Sequence, residues 1–402
     1  MSLRTAAARV GIFLLLALAA APGSAAEFVD GAGRRVAVPA QIGRVMAANQ
    51  AAAVIVYVLS PEKLIGWPQP LSRGQKAYLP QKLARLPVVG PLGGHDAVAT
   101  IDAASRLRPD LIVEMGPVTP GAVAIADQVQ QQTRIPYVFL SSTIQDTSET
   151  LRKLGTVLGV DRRGRDLRNY AESALSALRG KLLISPANKR PRIYYGRGPD
   201  GLETGSTQSL PLEDIDQAGA INVAAVAPGS PLRVSPAQLL AWNPVVVIAE
   251  QRSFYNQLLH GAQWRGLAAV RGKRVYLAPS EPFGWIDDPP GVNRLIGLYW
   301  LASVLYPDAQ QEDLRALTRE FYEKFYGVKL TDPQVEALVK SAEANPGESK
   351  RPADVPLLGA EPTPLPGATP TPAPGGLPMH PPGRSGLPPA SLAPPAGPAA
   401  KP

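Results

Sequence analysis

Ile193–Ala224, IYYGRGPDGLETGSTQSLPLEDIDQAGAINVA, decides the fold of this chain. It starts as a strand, breaks into a glycine-rich loop, and enters a helix that ends at Ala218-Gly219. Gly196-x-Gly198-x-x-Gly201 matches the dinucleotide fingerprint on paper. That fingerprint needs a helix to open directly after the glycines, so that its N-terminus meets the pyrophosphate. Here Leu202 to Ser209 reads as further loop, and Pro199-Asp200 favours a turn inside the motif. The stretch therefore reads as a polar loop at the carboxyl end of a strand, which is where open α/β sheets bind ligands.

Outward from this stretch the alternation of strand and helix continues in both directions. Upstream, Asp30 to Gly33 is a hairpin turn, Arg44–Ala48 a buried strand and Ala51–Leu59 a helix. Ser60 to Trp67 turns into another strand, and Thr100 caps a helix ahead of the strand at Leu111. Val123–Thr133, Pro136–Leu140 and Thr147–Leu158 continue as helix, strand, helix. Downstream, Ser235 caps a second helix ahead of Val245–Ala249, in the same cap-to-proline spacing as Thr100 and Pro109. Arg274–Leu277 is a strand and Val292–Leu305 a helix with Asp288-Pro289-Pro290 at its start. Asp161–Leu183 is one long amphipathic helix between the two halves.

The fold class is α/β: two similar α/β lobes with mostly parallel sheets, joined by one long backbone helix, with a ligand cleft between them. The expected organisation is a signal peptide over 1–26, a lobe over 27–159, the connecting helix over 160–184, a second lobe over 185–345 and a Pro-rich disordered tail over 346–402. Arg4 and Arg9, the apolar run Gly11–Ala20 and Ser24-Ala25-Ala26 form the signal pattern. The run is too short to span a bilayer, which takes about 20 apolar residues. There is no cysteine, which excludes disulfides, thiolate metal sites and a lipidated N-terminal cysteine. Export without an anchor places the expected protein, as a soluble monomer, in the periplasm. The net charge of +8 is spread along the chain, with no basic and aromatic interleaving of the kind that binds nucleic acid.

Catalysis is not expected. Neither Gly-x-Ser-x-Gly nor His-Glu-x-x-His occurs, and the chain has three histidines. A secreted hydrolase and a ligand sensor stand as the alternatives from another class. Strand carboxyl ends nominate the cleft residues: Asn49, Gln50, His95, Ser141 and Ser142 from the first half, Tyr195, Arg197, Trp285 and Arg294 from the second. Trp285 lies in a loop flanked by glycine and proline and is the stacking candidate. Arg197 and Arg294 suit carboxylates, phosphates or an oxyanion. His95 reads either as a ligand or as an exposed loop histidine, and Tyr195 either as a ligand or as core.

At Asp30-Gly31 through Arg35-Val36, Ser60-Pro61-Glu62-Lys63-Leu64-Ile65-Gly66, Leu107-Arg108-Pro109-Asp110-Leu111-Ile112-Val113, Ala218–Ala224 and Asn293–Leu301, the chain resembles the substrate-binding proteins of bacterial ABC importers for iron complexes and vitamin B12. The resemblance implies capture of a small molecule and its delivery to an ABC permease in the inner membrane. A ferric siderophore-type chelate is the first expectation; molybdate or tungstate, cobalamin and haem are the alternatives. It implies no cofactor of the protein's own, since any iron or other metal arrives with the ligand. It also implies acidic docking residues on the lobe tips, for which Glu62 and Glu213 are the candidates.

Overall fold

The structure is a computed structural model, and it describes residues 26–90, 97–184, 190–205, 210–225, 232–307 and 313–343. A hairpin opens the chain: β1 (Ala26–Val29) pairs antiparallel with β2 (Arg35–Val38). The Asp30 carboxylate closes the turn by accepting the Ala32 and Arg34 amides, each at 2.9 Å. The first lobe is then built from β3 (Val45–Ala47), α1 (Gln50–Leu59), the short helices α2 (Arg73–Ala77) and α3 (Gln81–Ala84), α4 (Ala97–Leu107), β4 (Leu111–Gly116), α5 (Pro120–Thr133), β5 (Tyr137–Ser141) and α6 (Thr147–Val157). Its sheet is parallel, in the order β3-β4-β5, with Val45 opposite Leu111 and Ile112 opposite Tyr137.

Helix α7 (Asp161–Ile184) leads to the second lobe. Leu167, Ala171, Ala174, Leu175 and Leu178 bury one stripe of it, the i, i+3/i+4 spacing of an amphipathic helix. Beyond it come β6 (Arg192–Gly196), β7 (Glu203–Thr204), α8 (Leu210–Gln217), β8 (Ile221–Asn222), β9 (Leu232–Arg233), α9 (Pro236–Trp242), β10 (Val246–Ala249), α10 (Arg252–His260), α11 (Ala268–Arg271), β11 (Val275–Leu277) and α12 (Arg294–Leu305). The second sheet is parallel, in the order β11-β10-β6-β8. Two closing helices, α13 (Leu314–Phe321) and α14 (Asp332–Glu343), flank a π-helical turn over Tyr322–Tyr326.

Strand periodicity sorts the core into layers. Leu111, Val113 and Met115 of β4 face a large central core, while Ile112 between them faces the packing under α4 and α5. In β6 and β10, Ile193, Tyr195, Val246 and Ile248 face the same central core. Tyr194, Val247 and Ala249 face the outer packing of the second lobe. Both sheets therefore turn one face toward a shared interior, to which α1, α7 and α12 also contribute. No helix among the described residues is long and apolar enough to cross a membrane.

Three local expectations are corrected. Leu64–Trp67 makes only isolated bridges, Val45 with Leu64 and Trp67 with Val88, after a 3-10 turn at Pro61–Lys63. Thr100 lies inside α4, a turn beyond its start at Ala97, whereas Ser235 does cap α9 by accepting the Gln238 amide. Helix α12 starts at Arg294, so the Asp288-Pro289-Pro290 run precedes it as loop. The signal segment up to residue 25 and the Pro-rich tail lie outside the described residues.

Candidate functional site

The Gly-rich loop explains itself first. Gly198 and Gly201 take φ values of +75° and +67°, a left-handed conformation that glycine adopts without strain. Helix does not follow them; β7 does, pairing back on β9. The loop is thus a turn that leaves Arg197 at the carboxyl end of β6, with its amide bonded to the Glu203 carbonyl.

Carboxyl ends of both sheets supply the candidate site. In the first lobe Asn49 caps α1, its side chain accepting from the Ala52 amide and donating to the Met115 carbonyl, each at 2.9 Å. That holds Gln50 at the end of β3, and the Gln50 Oε1 atom is buried without a hydrogen-bond partner. At the end of β5, the Ser142 amide donates to the Gly116 carbonyl at 3.2 Å. The Ser142 hydroxyl is likewise buried and unpartnered. Ser141 turns the other way, toward Thr143.

In the second lobe Arg197 stands between two carboxylates. Its Nε is 2.8 Å from Asp287 Oδ2 and 3.8 Å from Glu250 Oε1. The shorter contact is ionic and off-line for a hydrogen bond, so both atoms keep their hydrogen-bonding capacity. Burial pushes the Asp287 and Glu250 carboxyls upward, against the pull of Arg197. Tyr195 is buried beside them, and desolvation together with Asp287 and Glu250 holds its phenol well above the ordinary range. A cavity of about 520 Å³ opens here, lined by Tyr195, Glu250, Arg252, Glu281, Trp285 and Asp287 together with Ser72 and Gln75 at the start of α2. Ser72 and Gln75 form a capping box that fixes α2 at this edge.

Two nominated residues occupy other roles. Trp285 is fully buried, and its indole N–H donates to the Tyr322 hydroxyl at 3.3 Å. Its ring is core, and the residue stands in the wall of that cavity. Arg294 is also buried, and its guanidinium is engaged by Asp214, Glu213 and the Ser142 carbonyl. Glu213, read from sequence as a docking acid, belongs to this buried network and also accepts the Ile144 amide. Glu62 is exposed and shares a hydrogen bond with Ser60. His95 lies outside the described residues. Asn49, Gln50, Ser142, Tyr195 and Arg197 fall at strand carboxyl ends, as nominated.

Sequence reasoning passed over Glu250, Asp287, Ser72, Gln75 and Asp214. The Ser72-x-x-Gln75 pattern was a legible capping signal. Asp287 and Glu250 carried no local signal, because what marks them is proximity to Arg197. Among the described residues no three His, Asp or Glu side chains converge to hold a metal ion.

Comparison with known proteins agrees with this layout. A family model described as periplasmic binding protein matches residues 48–282. The molybdate-binding protein MolA of Haemophilus influenzae is 26% identical over 322 residues, covering 73% of this chain and 88% of that protein. An ABC transporter solute binding protein from Sulfurospirillum deleyianum superposes with a TM-score of 0.72 at 27% identity, over 78% of this chain and 99% of the other. The molybdate-bound structure of the Haemophilus influenzae MolA gives a TM-score of 0.64 at 22% identity, over 76% and 99%, and this likeness speaks for the fold.

Proposed function

The chain belongs to the periplasmic binding protein family, and on that premise we propose that its cleft captures a small oxyanion of the molybdate and tungstate type for an ABC permease. As such it is a binding component of an ABC transporter and not an enzyme. The carrying observation is the set of buried polar atoms without hydrogen-bond partners at the carboxyl ends of both sheets: Ser142 Oγ, Gln50 Oε1 and Arg197 Nε. Such atoms cost about 1–3 kcal/mol each when unsatisfied, so they are normally paired. A guest rich in acceptor oxygens suits the serine hydroxyl and the arginine N–H directly. Gln50 offers its amide N–H by rotating the carboxamide. Helix α10 adds a first turn with no side-chain cap, and such N-termini attract anions.

Size and surface favour a small guest. The lobes are tied by Glu213 to Ile144 and by Arg294 to Ser142. The aromatic ring that a haem or corrin would stack on, Trp285, is buried. Similarity to a protein whose name records molybdate binding supports the same cargo.

A metal chelate, including the ferric siderophore type, is the second reading. It draws on the carboxylates of Glu250, Glu281 and Asp287 around the cavity, which favour a cargo carrying positive charge. Calorimetric titration with molybdate, tungstate, sulfate, a ferric siderophore, haemin and cobalamin separates the two. Saturable binding of molybdate and tungstate, with a thermal stabilisation of about 2.7 kcal/mol at 100 times the dissociation constant, is the expected result. A response to the ferric siderophore alone replaces the oxyanion with the chelate.

A further inference from the structure

We propose that Arg294 is a positioning residue for cargo capture, acting across the lobe boundary through the backbone of Ser142. The proposal rests on the reading of Ser142 as a cargo contact. Sequence reasoning gave Arg294 a direct role, as a guanidinium facing an anion. The geometry assigns it another.

Arg294 opens α12 and is 1% exposed. Its Nε donates to both oxygens of Asp214, at 2.9 and 2.8 Å, and its Nη2 reaches Asp214 at 2.6 Å and Glu213 at 2.7 Å. Two carboxylates of α8 therefore neutralise it, and little of its charge is left for an incoming anion. Its remaining nitrogen, Nη1, donates to the Ser142 carbonyl at 2.8 Å. Glu213 in turn accepts the Ile144 amide at 3.1 and 3.0 Å. The Ser142–Ile144 loop follows β5 in the first lobe, while α8 and α12 pack in the second.

The consequence is specific to one side chain. The Ser142 N–H is fixed by Gly116 within its own lobe, and the Ser142 C=O is fixed by Arg294 from the other lobe. Thr143 is held by Ser141 and Asp146. The backbone amide and carbonyl of Ser142 are thus both committed, and its hydroxyl is left unpartnered. Removing one member of a buried ion pair is costly, and well-packed apolar residues often stabilise as much, so stability alone is a weak reason for charges at this place. Holding one hydroxyl to within a fraction of an ångström is a reason that fits where they sit.

Three variants test this: Arg294→Lys, which keeps the charge and loses the fork, Ser142→Ala, and the two combined. Molybdate titration is expected to weaken about tenfold for each single variant, the worth of one well-placed hydrogen bond to a charged guest. The double variant should be no weaker than Ser142→Ala alone, because Arg294 acts only through that hydroxyl. Additive losses, or an unchanged affinity for Arg294→Lys, overturn the proposal. If Arg294→Lys does not fold, Glu213→Gln runs the same cycle, with an expected loss of about threefold. A parallel readout needs no cargo: amide hydrogen exchange over residues 142–146 should quicken about tenfold in Arg294→Lys. If the wild-type protein binds neither molybdate nor tungstate, the oxyanion reading falls by itself. The positioning claim is then decided by exchange, and unchanged exchange overturns it.

Discussion

Arg197 Nε stands 2.8 Å from Asp287 Oδ2, with Glu250 3.8 Å from the same nitrogen. A guanidinium held between two carboxylates cannot greet a dianion as a free cation. Burial raises both carboxyls, so their neutral forms are favoured relative to water. An arriving dianion adds negative charge and raises them further. Binding therefore takes up protons, and affinity should grow as pH falls toward the carboxylate range, by at most about tenfold per unit for each proton taken up. Titrating tungstate at a series of falling pH values measures this slope. Asp287→Asn should flatten it; a slope that persists in that variant assigns the proton elsewhere.

Asp214 gives a second pH dependence, in stability rather than affinity. Burial pushes its carboxyl up to about 7, against Arg294, while Glu213 and Asp287 add to the rise. A group raised in the folded state contributes stability that is fully present below its unfolded value, near 4, and that contribution is lost as pH climbs through 7. The stability difference between the wild type and Asp214→Asn should therefore shift against the wild type over that window, measured by urea unfolding at several pH values. A difference that is flat with pH means that Arg294 keeps Asp214 ionised throughout.

Trp285 should matter for folding and not for cargo contact. Its ring is fully buried, with Tyr322 as its hydrogen-bond partner. Trp285→Ala is expected to cost about 3–5 kcal/mol of stability. Gly297 tests the same packing from the other side. A Cβ there would lie 1.7 Å from the Trp285 carbonyl oxygen, so Gly297→Ala should cost about 3 kcal/mol by forcing backbone apart. Urea denaturation checks both. A Trp285→Phe variant that folds normally yet loses cargo binding would return the ring to the site.

These residues show what was legible in the chain and what was not. Short continuous apolar runs in β4, β6 and β10, the uninterrupted amphipathic stripe of α7, and proline-punctuated βα units are local signals. They led to two α/β lobes on a long helix. Strand carboxyl ends, which follow from parallel pairing, led to Asn49, Gln50, Ser142, Tyr195 and Arg197. Trp285 looked like a loop aromatic because glycine and prolines surround it in the sequence, yet the π-helical turn reaches it through the Tyr322 hydroxyl. Arg294 looked like a ligand because its partners Asp214 and Glu213 lie some eighty residues earlier in the sequence. Burial and pairing across such separations leave no trace in local pattern.

Glu62 and Glu213 were read from sequence as equivalent docking acids, and their surroundings now separate them. Glu213 is tied to Arg294 and to the Ile144 amide, so its carboxylate acts inside the protein. Glu62 is the exposed residue of the 3-10 turn at Pro61–Lys63, and its carboxylate accepts a hydrogen bond from Ser60. A permease reaching for an acid on the first lobe meets Glu62 unobstructed, whereas reaching Glu213 requires breaking a buried network. Glu213→Gln should therefore weaken cargo titration in solution. Glu62→Gln should leave titration unchanged and lower only permease-coupled uptake, because a single exposed charge affects encounter with a partner more than the fold around it. Solution titration paired with cellular uptake of the same oxyanion distinguishes the two. Normal uptake by Glu62→Gln would move the docking acid elsewhere on the lobe.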